Sequence, residues 1–323
     1  MARAVRHASD EAIAEAASAL KQGGLVAFPT ETVYGLGALH THHDAVARIF
    51  LAKQRPSNHP LVLHADSTEM ARALVAVWTP EAQALADAFW PGPLTMVLPR
   101  ASQVSHAVTG GLDTAAVRVP ASSVALALIR AAGGAIAAPS ANPYQGISPT
   151  TADHVRSGLG DRVDMILDGG PCARGLESTI VDVASQTLLR LGPISAVQLR
   201  AFLPALRVAE SFRNATDDGV HLSPGMSAKH YAPRARLRVM SVVAMSRETA
   251  NVPTDHAMWL THSVEPPAGH GLRLPGHAEE YGALLYAALH TLDALNAREI
   301  WVEEIPEHDS WDAMRDRLQR AAH

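Results

Sequence analysis

Residues 10–28 read Asp10-Glu-Ala-Ile-Ala-Glu-Ala-Ala-Ser-Ala-Leu-Lys-Gln-Gly-Gly-Leu-Val-Ala-Phe28. The first part carries apolar residues at helical spacing, begins with acids and ends at Gly23-Gly24, so it predicts a helix over residues 10–22. The apolar run Leu25 to Phe28 follows at once and predicts a buried strand. A helix that leads directly into a strand is typical of an α/β fold.

The same alternation of short apolar runs and amphipathic segments continues through the first 205 residues, as expected when helices cover a largely buried sheet. Further strands are predicted at residues 61–63, 94–98, 115–119, 135–137, 165–167, 179–181 and 188–191. Further helices are predicted at residues 44–53, 80–89, 122–132, 152–157 and 195–202. We therefore expect an α/β domain over residues 1–206.

The periodicity fades after Arg207, where the chain becomes rich in Asn, Asp, Ser, Gly and Pro as far as Pro233. This composition resists regular structure and is typical of a linker. Strands are predicted again at residues 237–240, 257–260 and 300–302, and helices at residues 279–297 and 309–321. We expect a linker over residues 207–235 and a small C-terminal α/β domain over residues 236–323.

The composition is that of a soluble globular protein, with 323 residues, 47% of them hydrophobic, and a formal net charge of −5. The negative charge argues against strong general binding of nucleic acid, which needs a basic face. The sequence contains no apolar run near the roughly 20 residues that span a bilayer, and its first residues do not resemble a signal peptide. The single cysteine, Cys172, excludes a disulfide framework and is expected to fill space in a loop. We expect a cytoplasmic protein without membrane contact.

The familiar phosphate-binding motifs fail when they are compared with the sequence. A P-loop needs Gly-x4-Gly-Lys-Ser/Thr, and the nearest approach, Gly170 to Gly175, continues with Leu176-Glu177. The stretch Gly35-Leu-Gly37 begins like a dinucleotide fingerprint, but His40 replaces the third glycine. Any nucleotide site must therefore be built from other residues.

Three polar clusters indicate such a site, and one of them is Ser223-Pro-Gly-Met-Ser-Ala-Lys-His-Tyr-Ala-Pro233. Lys53-Gln-Arg55-Pro56 lies at the predicted end of a helix, where a Lys and an Arg together could grip a triphosphate or merely complement the helix dipole. Ser140-Ala-Asn142 follows a predicted strand, at the carboxyl end where α/β sheets collect ligands, although it is also good turn chemistry. Their joint occurrence favours a nucleotide site without a covalent nucleophile.

Arg118 lies inside a predicted buried strand, and a charge in such a place needs a partner. Either an internal acid or a substrate carboxylate must meet it. Glu177-Ser-Thr179 begins another predicted strand after a Gly-rich loop. Its hydroxyl groups either face the same cavity or cap a turn.

Six stretches in the first domain carry a family resemblance, and they occur in the family's order. They are Phe28-Pro-Thr-Glu-Thr-Val-Tyr-Gly-Leu-Gly37, Lys53-Gln-Arg-Pro56, His59-Pro-Leu-Val-Leu-His64, Trp90-Pro-Gly-Pro-Leu-Thr95, Ser140-Ala-Asn142 and Ser178-Thr-Ile-Val-Asp182. Together they resemble the YrdC-like threonylcarbamoyl-AMP synthases. Residues 223–233 are similar to the linker of the long, two-domain members. The resemblance implies a twisted mixed sheet covered by helices and a smaller, Rossmann-like C-terminal α/β domain.

The resemblance implies a reaction in which L-threonine, bicarbonate and ATP give threonylcarbamoyl-adenylate and pyrophosphate, the first step of threonylcarbamoyl-adenosine formation in tRNA. This nucleotidyltransferase chemistry needs positioning, charge neutralisation and shelter from water more than a protein nucleophile. Mg²⁺ would arrive with ATP, without protein side chains as its ligands. Downstream tRNA threonylcarbamoyl transferase proteins would receive the product, and direct binding of nucleic acid would be weak or absent.

The resemblance also implies site residues, position by position. The catalytic and nucleotide-binding residues would be Lys53, Arg55, Ser140 and Asn142. Further ATP contacts would come from Ser57, Thr114, Ser148, Arg190 and Tyr231. The threonine pocket would comprise Thr30, His64, Arg118, Ala138 and Ser178. In this scheme Lys53 and Arg55 face phosphates, Arg118 clamps the threonine carboxylate and Tyr231 acts as a lid on the nucleotide.

Two other functions are compatible with a cavity of this kind. A non-catalytic RNA-binding module of the same fold would use a concave cavity of similar shape, but the acidic overall charge disfavours it. A carbamoyl-transfer subunit of metal-enzyme maturation would carry cysteine-rich zinc modules. The single cysteine excludes that arrangement.

Overall fold

The computed structural model describes residues 5–209, 230–249 and 256–322. The predicted α/β class is confirmed, because an eleven-stranded mixed sheet is followed by a four-stranded sheet in the C-terminal part. The predicted linker falls largely on residues 210–229 and therefore lies mostly outside the described residues. No helix in the described ranges is long and apolar enough to cross a membrane.

The large sheet comprises β1 (Val5–His7), β2 (Val26–Phe28), β3 (Gly35–Leu39), β4 (Val62–His64), β5 (Leu94–Pro99), β6 (Thr114–Arg118), β7 (Ile136–Ala138), β8 (Met165–Asp168), β9 (Thr179–Asp182), β10 (Thr187–Arg190) and β11 (Arg207–Val208). Its strand order is β1-β8-β2-β3-β7-β4-β6-β5-β9-β10-β11. The helices that accompany it are α1 (Asp10–Lys21), α2 (His43–Lys53), α3 (Thr68–Ala73), α4 (Pro80–Phe89), α5 (His106–Thr109), α6 (Ser123–Ala132), α7 (Ala152–Leu159) and α8 (Ala196–Arg200).

Apolar helix faces cover this sheet. Buried residues of α1 and α6, such as Leu20 and Ile129, pack with Phe28 of β2 in one cluster. Residues of α2, α4 and α7 contribute to a second and larger cluster, to which Ile49 and Leu85 belong. The sheet is therefore buried between layers, as its short, continuous apolar strands predict.

Strand β3 is the main element of this region that the sequence did not predict, because its two glycines are unfavourable in strands. The glycines instead make room for neighbouring side chains. A Cβ atom on Gly37 would lie 2.6 Å from Ile136 Cγ2 and 2.8 Å from a ring carbon of Phe28. A glycine inside a strand commonly marks such a close approach.

The C-terminal sheet comprises β12 (Arg236–Met240), β13 (Ala257–Thr261), β14 (Gly271–Arg273) and β15 (Glu299–Glu303), in the order β12-β15-β13-β14. Its paired strands are all parallel. The helices of this part are α9 (Val242–Thr249), α10 (Ala278–Ala294) and α11 (Asp312–Ala321). The helix predicted over residues 309–321 is divided, since Asp309–Trp311 forms a 3-10 turn before α11 begins.

The C-terminal part of the chain shares a hydrophobic cluster with the part that forms the eleven-stranded sheet. Val33, Ile147 and Leu176 are buried together with residues of α10 and α11, including Leu285 and Met314. A Cβ atom on Gly175 would lie only 2.2 Å from the backbone oxygen of Ala283 in α10. The two parts are thus closely packed where the chain approaches β9.

Candidate functional site

One cavity collects most of the residues predicted to form a site. The predicted residues that line it are Thr30, Arg55, His64, Arg118, Ala138, Ser140, Ser178, Arg190 and Tyr231. They come from the ends of strands and the loops beside them. His64 and Arg118, for example, are the last residues of β4 and β6 and are paired across these parallel strands. The cavity therefore lies where α/β sheets usually bind ligands.

Five predicted residues do not line this cavity: Lys53, Ser57, Thr114, Asn142 and Ser148. Lys53 and Asn142 lie behind Ser140, and the Ser148 hydroxyl donates a hydrogen bond to Glu177. Ser57 is exposed. Thr114 and Arg118 stand at opposite ends of β6, roughly 13 Å apart at the usual rise per residue. The structure therefore does not bring Ser57 or Thr114 into the cavity.

Lys53 is placed differently from its expected position facing phosphates. Its side chain is buried, and its Nζ donates hydrogen bonds to the backbone oxygens of Ser140, at 2.6 Å, and Asn142. Asn142 Oδ1 lies 3.4 Å away. Burial lowers the pKa of Lys53, and the nearby charge of Arg55 lowers it further. Lys53 thus holds the Ser140–Asn142 loop against the end of α2.

Arg55 reaches the cavity because α2 ends in a left-handed residue, Gln54, with φ of 56°. One guanidinium nitrogen donates to the Pro60 backbone oxygen at 3.1 Å, whereas the buried Nε has no hydrogen-bond partner among the described residues. Burial lowers the pKa of Arg55 to about 10. The group therefore remains a cation at neutral pH and is suited to meet an anion in the cavity.

Arg118 is held on three sides. Its Nε donates to the Gly92 backbone oxygen at 3.1 Å, and Nη1 donates to Thr32 Oγ1 at 3.0 Å. Its Nη2 lies 2.7 Å from Glu31 Oε1, in an ion pair with both side chains buried. An internal acid therefore meets the buried charge, one of the two alternatives that the sequence left open.

Arg190, at the end of β10, is bonded to the residue that precedes β9. Its Nε donates to the backbone oxygen of Ser178 at 2.9 Å, and Nη2 donates to Ser178 Oγ at 3.0 Å. Ser178 Oγ also lies 2.7 Å from Thr95 Oγ1. Neither partner of this hydroxyl is a general base, so Ser178 is not arranged as an activated nucleophile.

His64 contributes a neutral group to the cavity. Burial lowers its pKa to about 3, and the positive charge of Arg118 contributes to this shift. The ring packs edge-on against Phe28 with centroids 5.9 Å apart. His64 can therefore offer a hydrogen bond near Arg118 without adding another charge.

His230 and Tyr231 complete the lining of the cavity. The Tyr231 ring packs beside that of Tyr286 in α10, 5.8 Å between centroids, and lies 4.9 Å from the guanidinium carbon of Arg317 in α11. Burial lowers the pKa of His230, as do the nearby cations, first among them Arg55. The start of the C-terminal part therefore forms one wall of the cavity.

Glu177 lines the cavity and connects it to the C-terminal domain. Its carboxylate accepts hydrogen bonds from Tyr286 Oη at 3.0 Å and Arg317 Nε at 2.9 Å. The sequence placed Glu177 near a possible cavity but gave no signal for its partners, because they lie more than 100 residues away. Glu31, the partner of Arg118, was missed because it lies 87 positions away in the sequence.

A cation-binding cluster of protein ligands is not found in the described ranges. Cys172 is buried in the core, and burial raises its pKa to about 12. A buried, protonated thiol matches the expected space-filling role better than nucleophilic chemistry. The chemistry of the cavity therefore resides in its three guanidinium groups, its hydroxyls and the neutral His64.

Comparisons with known proteins cover both parts of the chain. A family model described as "Telomere recombination" matches residues 18–192, and one described as "Threonylcarbamoyl-AMP synthase, C-terminal domain" matches residues 194–323. The threonylcarbamoyl-AMP synthase of Pyrococcus abyssi is 36% identical over 321 residues, which cover 95% of this chain and 93% of that protein. The Bacillus subtilis protein of the same name is 37% identical over 328 residues, with coverages of 97% and 94%.

The solved structures agree with the sequence matches. The crystal structure of P. abyssi Sua5 complexed with L-threonine has a TM-score of 0.91 to this chain at 36% identity, and it covers 97% of this chain and 95% of its own. The sequence and structure matches thus extend over nearly the full length. The chain belongs to the YrdC-like threonylcarbamoyl-AMP synthase family, in its long, two-domain form.

Proposed function

We propose that this protein makes L-threonylcarbamoyl-adenylate and pyrophosphate from L-threonine, bicarbonate and ATP, as a nucleotidyltransferase. The observation that carries the proposal is the convergence of Arg55, Arg118 and Arg190 on one cavity beside neutral His64. Two anionic ligands, an amino acid carboxylate and a triphosphate, would account for these cations. The names of the full-length relatives agree with this assignment.

The threonine side of the cavity is assigned to Arg118, with Thr30, His64, Ala138 and Ser178 around it. Arg118 is already oriented by Thr32 and Glu31, so little side-chain entropy is lost when a carboxylate binds. The relative from P. abyssi was crystallised with L-threonine, which supports a threonine pocket in this family. The nucleotide side is assigned to Arg55, Ser140, Arg190 and Tyr231.

The proposed reaction joins the threonine nitrogen to the carbon of bicarbonate, with loss of water, to give a carbamate. A carbamate oxygen then attacks the α-phosphorus of ATP, and the bond to the β-phosphate oxygen breaks to release pyrophosphate. Arg55 and Arg190 stabilise the charge that moves onto the phosphates. The buried walls keep water from the unstable carbamate.

Mg²⁺ would enter with ATP and neutralise phosphate charge. Ser140 lines the proposed phosphate side, but in the described ranges no group of three or more acidic, His or Cys side chains could hold a metal alone. The product would feed threonylcarbamoyl-adenosine formation in tRNA, through separate transferase proteins in the cytoplasm. Thr114, Ser57 and Ser148 remain predicted nucleotide contacts without support from the cavity lining.

An omission assay tests the proposal. Pyrophosphate release should require threonine, bicarbonate and ATP together, and removal of any one should abolish it. ATP hydrolysis that proceeds equally without threonine would contradict the assignment. Unchanged RNA binding after substitution of Lys53 and Arg55, with no turnover in any mixture, would favour the RNA-binding alternative.

A further inference from the structure

A buried ion pair joins the cavity to the C-terminal domain. Arg317, in α11, is 1% exposed, and its Nε donates to Glu177 Oε2 at 2.9 Å. The remaining guanidinium nitrogens donate to Asp316 Oδ2 at 2.5 Å and to the backbone oxygen of Leu191 at 2.7 Å. Its plane also lies near the Tyr231 ring. Arg317 thus contacts Glu177 in the cavity wall, the residue that follows Arg190, and the cavity-lining ring of Tyr231.

This pair is not needed simply to join the two parts of the chain. The interface already contains a hydrophobic cluster that includes Leu176 and Ile147. Replacement of a buried ion pair by apolar residues of similar volume is often neutral or stabilising, so the pair itself is weak evidence for stability. Its position beside the cavity indicates a different role.

Glu177 is the residue on which this role depends. Burial alone would raise the pKa of its carboxyl, but the charges of Arg317 and Arg190, together with the hydrogen bonds from Ser148 and Arg317, outweigh that effect and lower it. Glu177 is thus an anion inside a cavity that is expected to bind anions. Ser148 and Tyr286 donate hydrogen bonds to it, yet Arg317 provides the direct positive charge from the C-terminal domain.

Arg190 is the cation that would be affected if Arg317 were absent. It acts electrostatically on Glu177 from the neighbouring strand, while its Nε and Nη2 are bonded to Ser178. Without Arg317, the buried carboxylate of Glu177 would attract Arg190 more strongly and draw it from Ser178. The charge available to a phosphate would then fall, and the orientation of Arg190 would change.

We propose that Arg317 is a positioning residue for the nucleotide side of the cavity, because it neutralises Glu177 and leaves Arg190 aligned on Ser178. The inference rests on the proposed assignment of Arg190 to ATP. It gives the C-terminal domain a role in ATP use, although α11 lies outside the cavity lining. Threonine binding, which depends on Arg118 and Glu31, should be largely independent of Arg317.

The test uses full-length variants and steady-state pyrophosphate release. In Arg317→Met, the KM for ATP should rise about tenfold, while the KM for threonine changes by less than about twofold. The double variant Glu177→Gln/Arg317→Met removes the orphaned carboxylate, so its KM for ATP should return to within about threefold of the wild-type value. Arg273→Met, which breaks the exposed pair with Glu265, is the matched control and should change neither constant.

An unchanged KM for ATP in Arg317→Met, equal rises for both substrates, or no recovery in the double variant would overturn the inference. Loss of thermal stability alone, with both constants unchanged, would show that the pair is merely structural. If Arg317→Met does not fold, Arg317→Lys replaces it, and a rise of about threefold in the KM for ATP is expected because the planar fork is lost. An unchanged value in that variant would overturn the inference, whereas a wild-type protein without threonine-dependent turnover would instead overturn the proposed function.

Discussion

Arg118 Nη2 lies 2.7 Å from Glu31 Oε1, both side chains are buried, and Arg118 lines the cavity. The ion pair fixes the guanidinium group before any ligand arrives, together with the hydrogen bonds to Thr32 and Gly92. It also leaves a negative charge close to the proposed carboxylate site. The affinity for threonine therefore depends on both members of the pair.

Substitution of Arg118 should affect threonine far more than ATP. Arg118→Ala removes the proposed clamp and should weaken threonine binding by about 2–5 kcal/mol, part of which reflects the unpaired Glu31. Isothermal titration with each ligand measures the effect. The comparison variant Glu31→Gln keeps the guanidinium and a hydrogen-bond acceptor beside it, so it should weaken threonine binding less than Arg118→Ala does. Equal losses of affinity for the two ligands in Arg118→Ala would argue against the assignment.

We expect Lys53 to be essential for turnover, because it holds the Ser140–Asn142 loop in place. Lys53→Met keeps most of the side-chain volume but removes the donor to the Ser140 and Asn142 carbonyl oxygens. We expect turnover to fall at least about a hundredfold and stability to fall by about 1–3 kcal/mol, since buried acceptors lose their partner. Lys21→Met, at the exposed end of α1, is the control. Turnover close to that of the control would contradict this role.

His64 should make the protein less stable in mild acid. The pKa of His64 is about 3 in the folded protein and about 6.5 in the unfolded chain. Above pH 6.5 the imidazole is therefore neutral in both states, and the free energy of unfolding is not reduced by its titration. As the pH falls from 6.5 towards 3, the unfolded state binds a proton that the folded state does not. The loss at pH 5 is about 2 kcal/mol. Urea unfolding at pH 7 and pH 5 should show a smaller loss for His64→Gln, and equal losses in the two proteins would refute the prediction.

Gly37 should tolerate no side chain. Gly37→Ala places a methyl group against Ile136 and the Phe28 ring, which packs on His64, and should cost about 1–3 kcal/mol. Gly134→Ala is the matched control, because its nearest neighbour, Leu39 Cδ2, lies at an ordinary 3.6 Å. Thermal denaturation of both variants measures the difference. Equal melting temperatures would show that the core adjusts freely around β3.

The sequence allowed prediction of elements whose local signals are strong. Helix α4 (Pro80–Phe89) has the predicted bounds, because Thr79 caps it, Pro80 begins it and Trp90-Pro91 ends it. Strand β3 was missed because its glycines serve contacts with Phe28 and Ile136, which no local pattern reveals.

The site shows the same division between local and distant information. Arg118 was recognised as a buried charge from its apolar neighbours, but Glu31 lies 87 positions away and could not be chosen as its partner. No local pattern in the sequence indicates that Arg317 is buried, since an arginine in an amphipathic terminal helix normally faces solvent. Its burial follows from the packing of α11 against the cavity wall, a contact between distant parts of the chain.

The most direct test of the central claim is mass identification of the product formed from ATP, threonine and ¹³C-labelled bicarbonate. The account predicts threonylcarbamoyl-adenylate that carries the label in its carbamoyl carbon, with one pyrophosphate released for each molecule formed. Unlabelled threonyl-adenylate, or ADP and phosphate as the only products, would contradict it.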